Sequence, residues 1–210
     1  MSARVRTNSL KERLAYEAAR IMVEQGLSDF DRAKRKAAER MGNPDRRQWP
    51  SNEAVQEAVL AHRRLFLGHA HERDCLDLRE NALEAMKTFQ DFRPRLIGPA
   101  LSGAGDSHTG IELLLFAERP EEVLFALMEQ RIPWQDAERG FRYPDGQRQT
   151  HPLFRFMAGG MPVKLIVLPL RAVRNPPLDP VTEQPLRGAD HEEVRRLLAD
   201  AASRLTPRDG

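Results

Sequence analysis

Glu112 is the residue of this 210-residue chain that most directly invites chemistry. It is the one carboxylate in "GIELLLF", residues 110–116, an apolar run that follows the glycine-punctuated stretch "GPALSGAGDSHT". A carboxylate there can hold a hard cation such as Mg²⁺ if further oxygen ligands join it. Asp106 and His108 precede it in the loop, so Asp106, His108 and Glu112 form one conceivable metal set. Loop Asp and His residues equally make turn hydrogen bonds. "HAHERDC", residues 69–75, places His71 and Cys75 four apart on a helix, where they could share a metal, but a polar helix start explains the segment as well. Cys75 is the single cysteine and excludes an intrachain disulfide.

The second chemical feature is charge. The net charge is only +2, yet residues 1–50 carry 12 Lys/Arg against 7 Asp/Glu. The densest cluster is "RAKRKAAER", residues 32–40, on an expected helix over 28–41. Lys34, Arg35, Lys36 and Arg40 on it are the candidate contacts to a phosphate backbone or an acidic protein partner. A solvated helix surface is the plainer reading.

These residues need elements to position them. Leu10, Leu14, Ala18, Ile21 and Met22 form a helical stripe that stops at Gly26, with residues 1–8 expected to fray. Ser28 and Asp31 have capping-box spacing for the basic helix. Ser51 caps a third helix whose apolar face includes His62, and helical periodicity resumes after Gly68 up to Phe89. Beyond Phe92 the pattern changes. "RLIGPALS" and "GIELLLFA" read as strands, "RPEEVLFALMEQRI" as a helix, and "ERGFRY" as a strand. "LFRFMAGGMPVKLIVLPL" reads as a hairpin turning at Gly159 and Gly160. "GQRQTH", residues 146–151, reads as a polar hairpin tip, with His151 a loop residue. A proline-rich segment and a helix over 191–204, capped by Asp190 and Glu193, close the chain.

The expected fold is therefore α+β: a helical region over 1–91, a small mixed-sheet core over 92–172, then a proline-rich linker and C-terminal helix over 173–210. No apolar run approaches the roughly 20 residues that span a bilayer. The basic N-terminus lacks an apolar signal region, so a cytoplasmic protein with no membrane partner is expected.

The stretch 98–113 resembles the nucleotidyltransferase superfamily, the fold shared by DNA polymerase beta and the minimal nucleotidyltransferases. The resemblance covers about residues 92–168. In that family a Gly-Ser loop and a second glycine precede a strand reading Asp-hydrophobic-Asp, and a later strand brings a third carboxylate. Gly98 and Gly103 match the glycines, and "GIELLLF" stands where the family has "DIDLLLF". The resemblance implies a nucleotide-binding loop at Gly98, Ser102 and Gly103. It also implies two Mg²⁺ ions on the carboxylates, aligning the attacking and leaving oxygens.

The departures are specific. Pro99 replaces the phosphate-contacting serine and removes a hydroxyl and a backbone N–H donor. Gly110 replaces the first metal carboxylate, Glu112 can stand for the second, and Lys164 falls where the third belongs. If their strands are neighbours, Lys164 can pair with Glu112 in place of a metal.

Three readings follow. The first is a diverged member of the superfamily that has lost the two-metal reaction, needs no cofactor, and serves as a binding or regulatory module for a nucleotide or a macromolecule. The second is an active Mg²⁺-dependent nucleotidyltransferase rearranged around Glu112. The third is a basic RNA- or protein-binding scaffold.

Overall fold

Gly26 and Gly42 both adopt positive φ, and they punctuate the first two helices where side-chain periodicity lapses. The structure, a computed structural model, describes residues 2–27, 29–42 and 45–205. Helix α1 spans Ser2–Gln25 and so takes in residues 2–8, which precede the apolar stripe. Helix α2 spans Phe30–Arg40 and α3 spans Asn52–Phe66. Ser28 lies outside the described residues. The N-cap of α2 is Asp29, whose carboxylate accepts from Arg32 N at 3.0 Å. Ser51 Oγ accepts from Ala54 N at 3.1 Å and starts α3 as expected. Helix α1 packs on both α2 and α3, and Leu14, Ala18, Ile21, Ala33, Ala37, Val55 and Val59 are buried.

The chain forms two units, Met1–Gly68 with Pro180–Thr182, and His69–Asp179 with Glu183–Gly210. The helical stretch expected up to residue 91 therefore divides at Gly68, and helix α4, His69–Thr88, belongs with the sheet. Its Leu78, Ala82 and Met86 are fully buried in the core of that unit.

The second unit holds β1 (Arg95–Ile97), α5 (Gly98–Ser102), β2 (Ile111–Ala117), α6 (Pro120–Glu129), β3 (Gln135–Arg142), β4 (Arg148–Ala158), β5 (Met161–Pro169) and α7 (His191–Leu205). The fold is thus α+β, with N-terminal helices, a five-stranded mixed sheet and a C-terminal helix. The strand order is β1-β2-β5-β4-β3, and only β2 and β5 run parallel. Residues of β2 are buried throughout, which explains its unbroken apolar run.

Alternation along the strands sends side chains to two cores. Leu113, Leu115, Val163, Leu165 and Val167 face α4, α6 and α7. Leu114, Phe116, Leu153, Ile166 and Leu168 face the other way and pack with Ile97, Phe141, Tyr143, Ala172 and Leu186.

Two segments differ from expectation. Residues 98–102 do not continue β1 as strand: Gly98 turns the chain at φ 69°, and Pro99 at the start of α5 favours helical geometry there. Residues 148–151 belong to β4 rather than to a hairpin tip, because the turn closes at Tyr143–Gln147 through paired backbone bonds. Helix α7 begins with the expected reciprocal cap. Glu193 N donates to Asp190 Oδ1 at 2.9 Å and Asp190 N donates to Glu193 Oε2 at 2.7 Å. Among the described residues, no helix is long and apolar enough to cross a membrane.

Candidate functional site

Glu112 lies near the start of β2, directly beside Ile97 on β1 and Lys164 on β5. The parity of β2 turns it toward the second of the two cores, in line with Leu114 and Phe116. Its side chain is only 5% exposed, so its charge requires partners. Both are present. Lys164 Nζ donates to Oε1 at 2.9 Å, and Arg139 Nη1 donates to Oε2 at 2.6 Å.

Lys164 reaches Glu112 because parallel register places the two residues side by side on one face. Arg139 gets there by another route. Its strand, β3, is three places from β2, about 14 Å across a flat sheet. A guanidinium on β3 can touch Glu112 only if the sheet curls, and the curl also brings Phe141 and Tyr143 into the same core as Leu114. Arg139 lies over the Phe141 ring, 5.4 Å from its centroid. Burial alone would push the Glu112 carboxyl up. The charges of Arg139 and Lys164, with their hydrogen bonds, outweigh burial and hold it below the ordinary glutamate range. The site is therefore an ionised carboxylate with each oxygen taken by a cation.

The remaining expected site residues are placed as follows. A Cβ at Gly98 would lie 3.0 Å from Glu112 Oε2, so the glycine leaves room for the carboxylate. Ser102 Oγ bonds locally, donating to Pro99 O and accepting from Ala104 N, both at 3.4 Å. The Gly103 carbonyl accepts from His71 Nε2 at 2.8 Å and from Cys75 Sγ at 3.6 Å. His71 and Cys75 are both buried and brace this loop from beneath. Arg79 Nη2 donates to Leu101 O at 3.3 Å. These polar groups serve the loop's own fold.

Asp106 does not join Glu112 around a metal. Its Oδ1 accepts from His108 N at 3.0 Å and Thr109 N at 2.9 Å, closing the turn before β2. Among the described residues, no group of three or more His, Cys, Asp or Glu side chains is arranged to hold a metal. Asp106, His108 and Glu112, the conceivable metal set, are not brought together: one carboxylate is folded into its turn and the other is covered by cations.

The basic helix α2 is less open than its sequence implies. Lys34 is buried; its Nζ donates to Asn52 Oδ1 at 2.7 Å and pairs with Asp31 at 3.0 Å. Asn52 Nδ2 in turn donates to Pro180 O at 2.6 Å. Lys36 Nζ donates to Gln25 Oε1 at 2.6 Å, and Arg40 Nη1 to Glu17 Oε1 at 3.1 Å. Hydrogen bonding from Arg20, then from Arg40, holds the Glu17 carboxyl below its ordinary value against the cost of burial. Arg35 alone of the four is exposed with no side-chain hydrogen bond or ion pair among the described residues. Lys34 in particular supports the helical unit from within and is not a surface contact.

Two buried or part-buried polar residues, Arg139 and His151, lie outside the expected site residues. Arg139 carried no local signal. His151, expected in a loop, is buried on β4 with its Nε2 2.9 Å from the Tyr143 hydroxyl. Burial, aided by the charge of Arg171, holds His151 below the ordinary histidine range. Burial likewise pushes the Tyr143 hydroxyl up. The neutral imidazole is the native form, so His151 contributes stability that is fully present above its unfolded pKa, about 6.5. That contribution is lost as pH falls from there toward the folded value. Urea denaturation from pH 7.5 to 5 should show stability declining with acid, and His151→Phe should flatten that decline. An equal slope in both proteins would rule His151 out as its source.

Comparison with protein-family models found no match to this chain, and comparison with curated proteins found none.

Proposed function

We propose that this chain is a diverged nucleotidyltransferase-like protein that works as a binding or regulatory module without two-metal nucleotidyl transfer. The observation that carries the reading is the state of Glu112: Oε1 belongs to Lys164 and Oε2 to Arg139. In the resembled pattern this position holds a metal ligand. A Mg²⁺ ion here would have to displace an ammonium at 2.9 Å and a guanidinium at 2.6 Å, and then sit beside both positive charges. The remaining support is the strand order, with β2 beside β5, which sets Lys164 next to Glu112 as the resembled pattern implies.

The test is an incubation of the whole chain with each labelled nucleoside triphosphate, Mg²⁺ or Mn²⁺, and protein and nucleic-acid acceptors. No transfer above the level of the Glu112→Gln variant is expected. Saturable, metal-dependent transfer that Glu112→Gln abolishes would overturn the reading.

A further inference from the structure

The row of side chains through Glu112 continues beyond Lys164. In antiparallel register Lys164 stands directly opposite Arg155 on β4, and Arg155 stands opposite Gln135 on β3. Directly paired residues point to the same face, with Cβ atoms about 5 Å apart. Ile97, Glu112, Lys164, Arg155 and Gln135 thus form one line across all five strands.

That line holds an unbalanced charge. Like charges directly opposite each other destabilise a strand pair. Glu112 offsets Lys164, but it is also bound to Arg139. One carboxylate therefore serves two cations, and Arg155 adds a third. Arg155 is exposed and has no ion pair among the described residues. The nearby acids of β3 give no relief, because Asp136 and Glu138 alternate to the opposite face from Gln135 and Arg139. Lys164 and Arg139 remain reachable, with 22% and 30% of their side chains exposed. Each keeps N–H donors that Glu112 does not use.

We infer that Arg155 and Lys164, backed by Arg139, form a seat for a small phosphoryl polyanion bound without a divalent metal. The guanidinium supplies a planar fork for two phosphoryl oxygens and the ammonium a point charge beside it. Glu112 holds Lys164 and Arg139 in place and leaves its own charge already neutralised. This seat is one row of β4 and β5; the loop at Gly98, Ser102 and Gly103 takes no part in it. The inference rests on the reading of the chain as a binding module and names the ligand class of that module.

Inorganic tripolyphosphate is a suitable probe, titrated calorimetrically into the full chain in the presence of a metal chelator. Saturable binding near one per chain is expected. Arg155→Gln should weaken it tenfold or more, Arg155→Lys should weaken it less, and Lys87→Gln on α4 should leave it unchanged. Without ligand, Arg155→Gln should melt at or slightly above the unsubstituted protein, since it removes a like-charge pair. That melt also establishes that the variant folds. Absence of saturation, a requirement for Mg²⁺, or equal binding by Arg155→Gln would each overturn the inference. Failure here with no nucleotidyl transfer leaves the binding-module reading intact. Metal-dependent transfer abolished by Glu112→Gln overturns that reading whatever tripolyphosphate does.

Discussion

Glu112→Leu should destabilise the sheet unit by about 3 kcal/mol, the lower end of what removing one member of a buried ion pair costs. The substitution deletes a carboxylate that binds two cations at 2.9 and 2.6 Å and leaves Lys164 and Arg139 facing each other across an apolar residue. The partial exposure of both cations lets water recover some of that loss. Lys164→Met should cost far less, about 1 kcal/mol, because Arg139 still satisfies Glu112 and the clash with Arg155 is relieved. The double variant, Glu112→Leu with Lys164→Met, should therefore be more stable than Glu112→Leu alone, a coupling that a double-mutant cycle in urea measures directly. The pH dependence follows from the depressed carboxyl. Its contribution is fully present above the ordinary glutamate pKa, about 4.3, and is lost as pH falls below that toward the folded value. Glu112→Leu should remove this acid limb. If Glu112→Leu unfolds at the same urea concentration as the unsubstituted protein, the paired-carboxylate account fails.

The parts of this site that could be read in advance are those set by neighbours in the chain. An apolar run with one carboxylate had to be a buried strand with a charge in need of a partner. Gly159 and Gly160 marked the hairpin that brings β5 back, and Asp190 with Glu193 marked the start of α7. Lys164 could be anticipated as Glu112's neighbour only through the resembled pattern, which supplied the strand pairing. Arg139 could not. Its contact depends on the curl of a five-stranded sheet, and curl is set by the packing of both faces rather than by residues near position 139. His151 was hidden for a related reason: a histidine between a threonine and a proline looks like a turn, and only pairing along β3 makes it an inward strand position. On α2 the density of charge was visible, but the burial of Lys34 against Asn52, 18 residues later, was not. Local pattern predicts elements well, while the partners of polar groups depend on contacts distant in sequence.

Gly110→Asp, the substitution that would rewrite "GIE" as the resembled "DIE", should disrupt the unit rather than create a metal site. Gly110 has φ 68°, a conformation that strains any residue with a side chain. A Cβ there would overlap the Pro162 carbonyl oxygen and lie 2.8 Å from its carbonyl carbon. That carbonyl cannot move aside cheaply, because the parallel pairing of β2 with β5 begins one residue later, at Ile111 and Val163. Overpacking against main chain and positive-φ strain together put the cost at about 3 kcal/mol or more. Gly110→Ala should lose nearly as much as Gly110→Asp, since the first side-chain atom does the damage. Gly159→Ala, at φ 58° with nothing within 4 Å of its Cβ, should lose only about 1 kcal/mol. Thermal melts of the three variants separate these terms, and Mg²⁺ titration followed by intrinsic Trp fluorescence should show no new metal binding in Gly110→Asp. A stable Gly110→Asp variant that gains Mg²⁺ affinity would show that the main chain at Pro162 yields. Residue 110 could then carry the first carboxylate of the resembled pattern. The position of the Pro162 carbonyl argues the opposite: it closes over residue 110, while Glu112 is satisfied by two cations from its own sheet, Lys164 and Arg139.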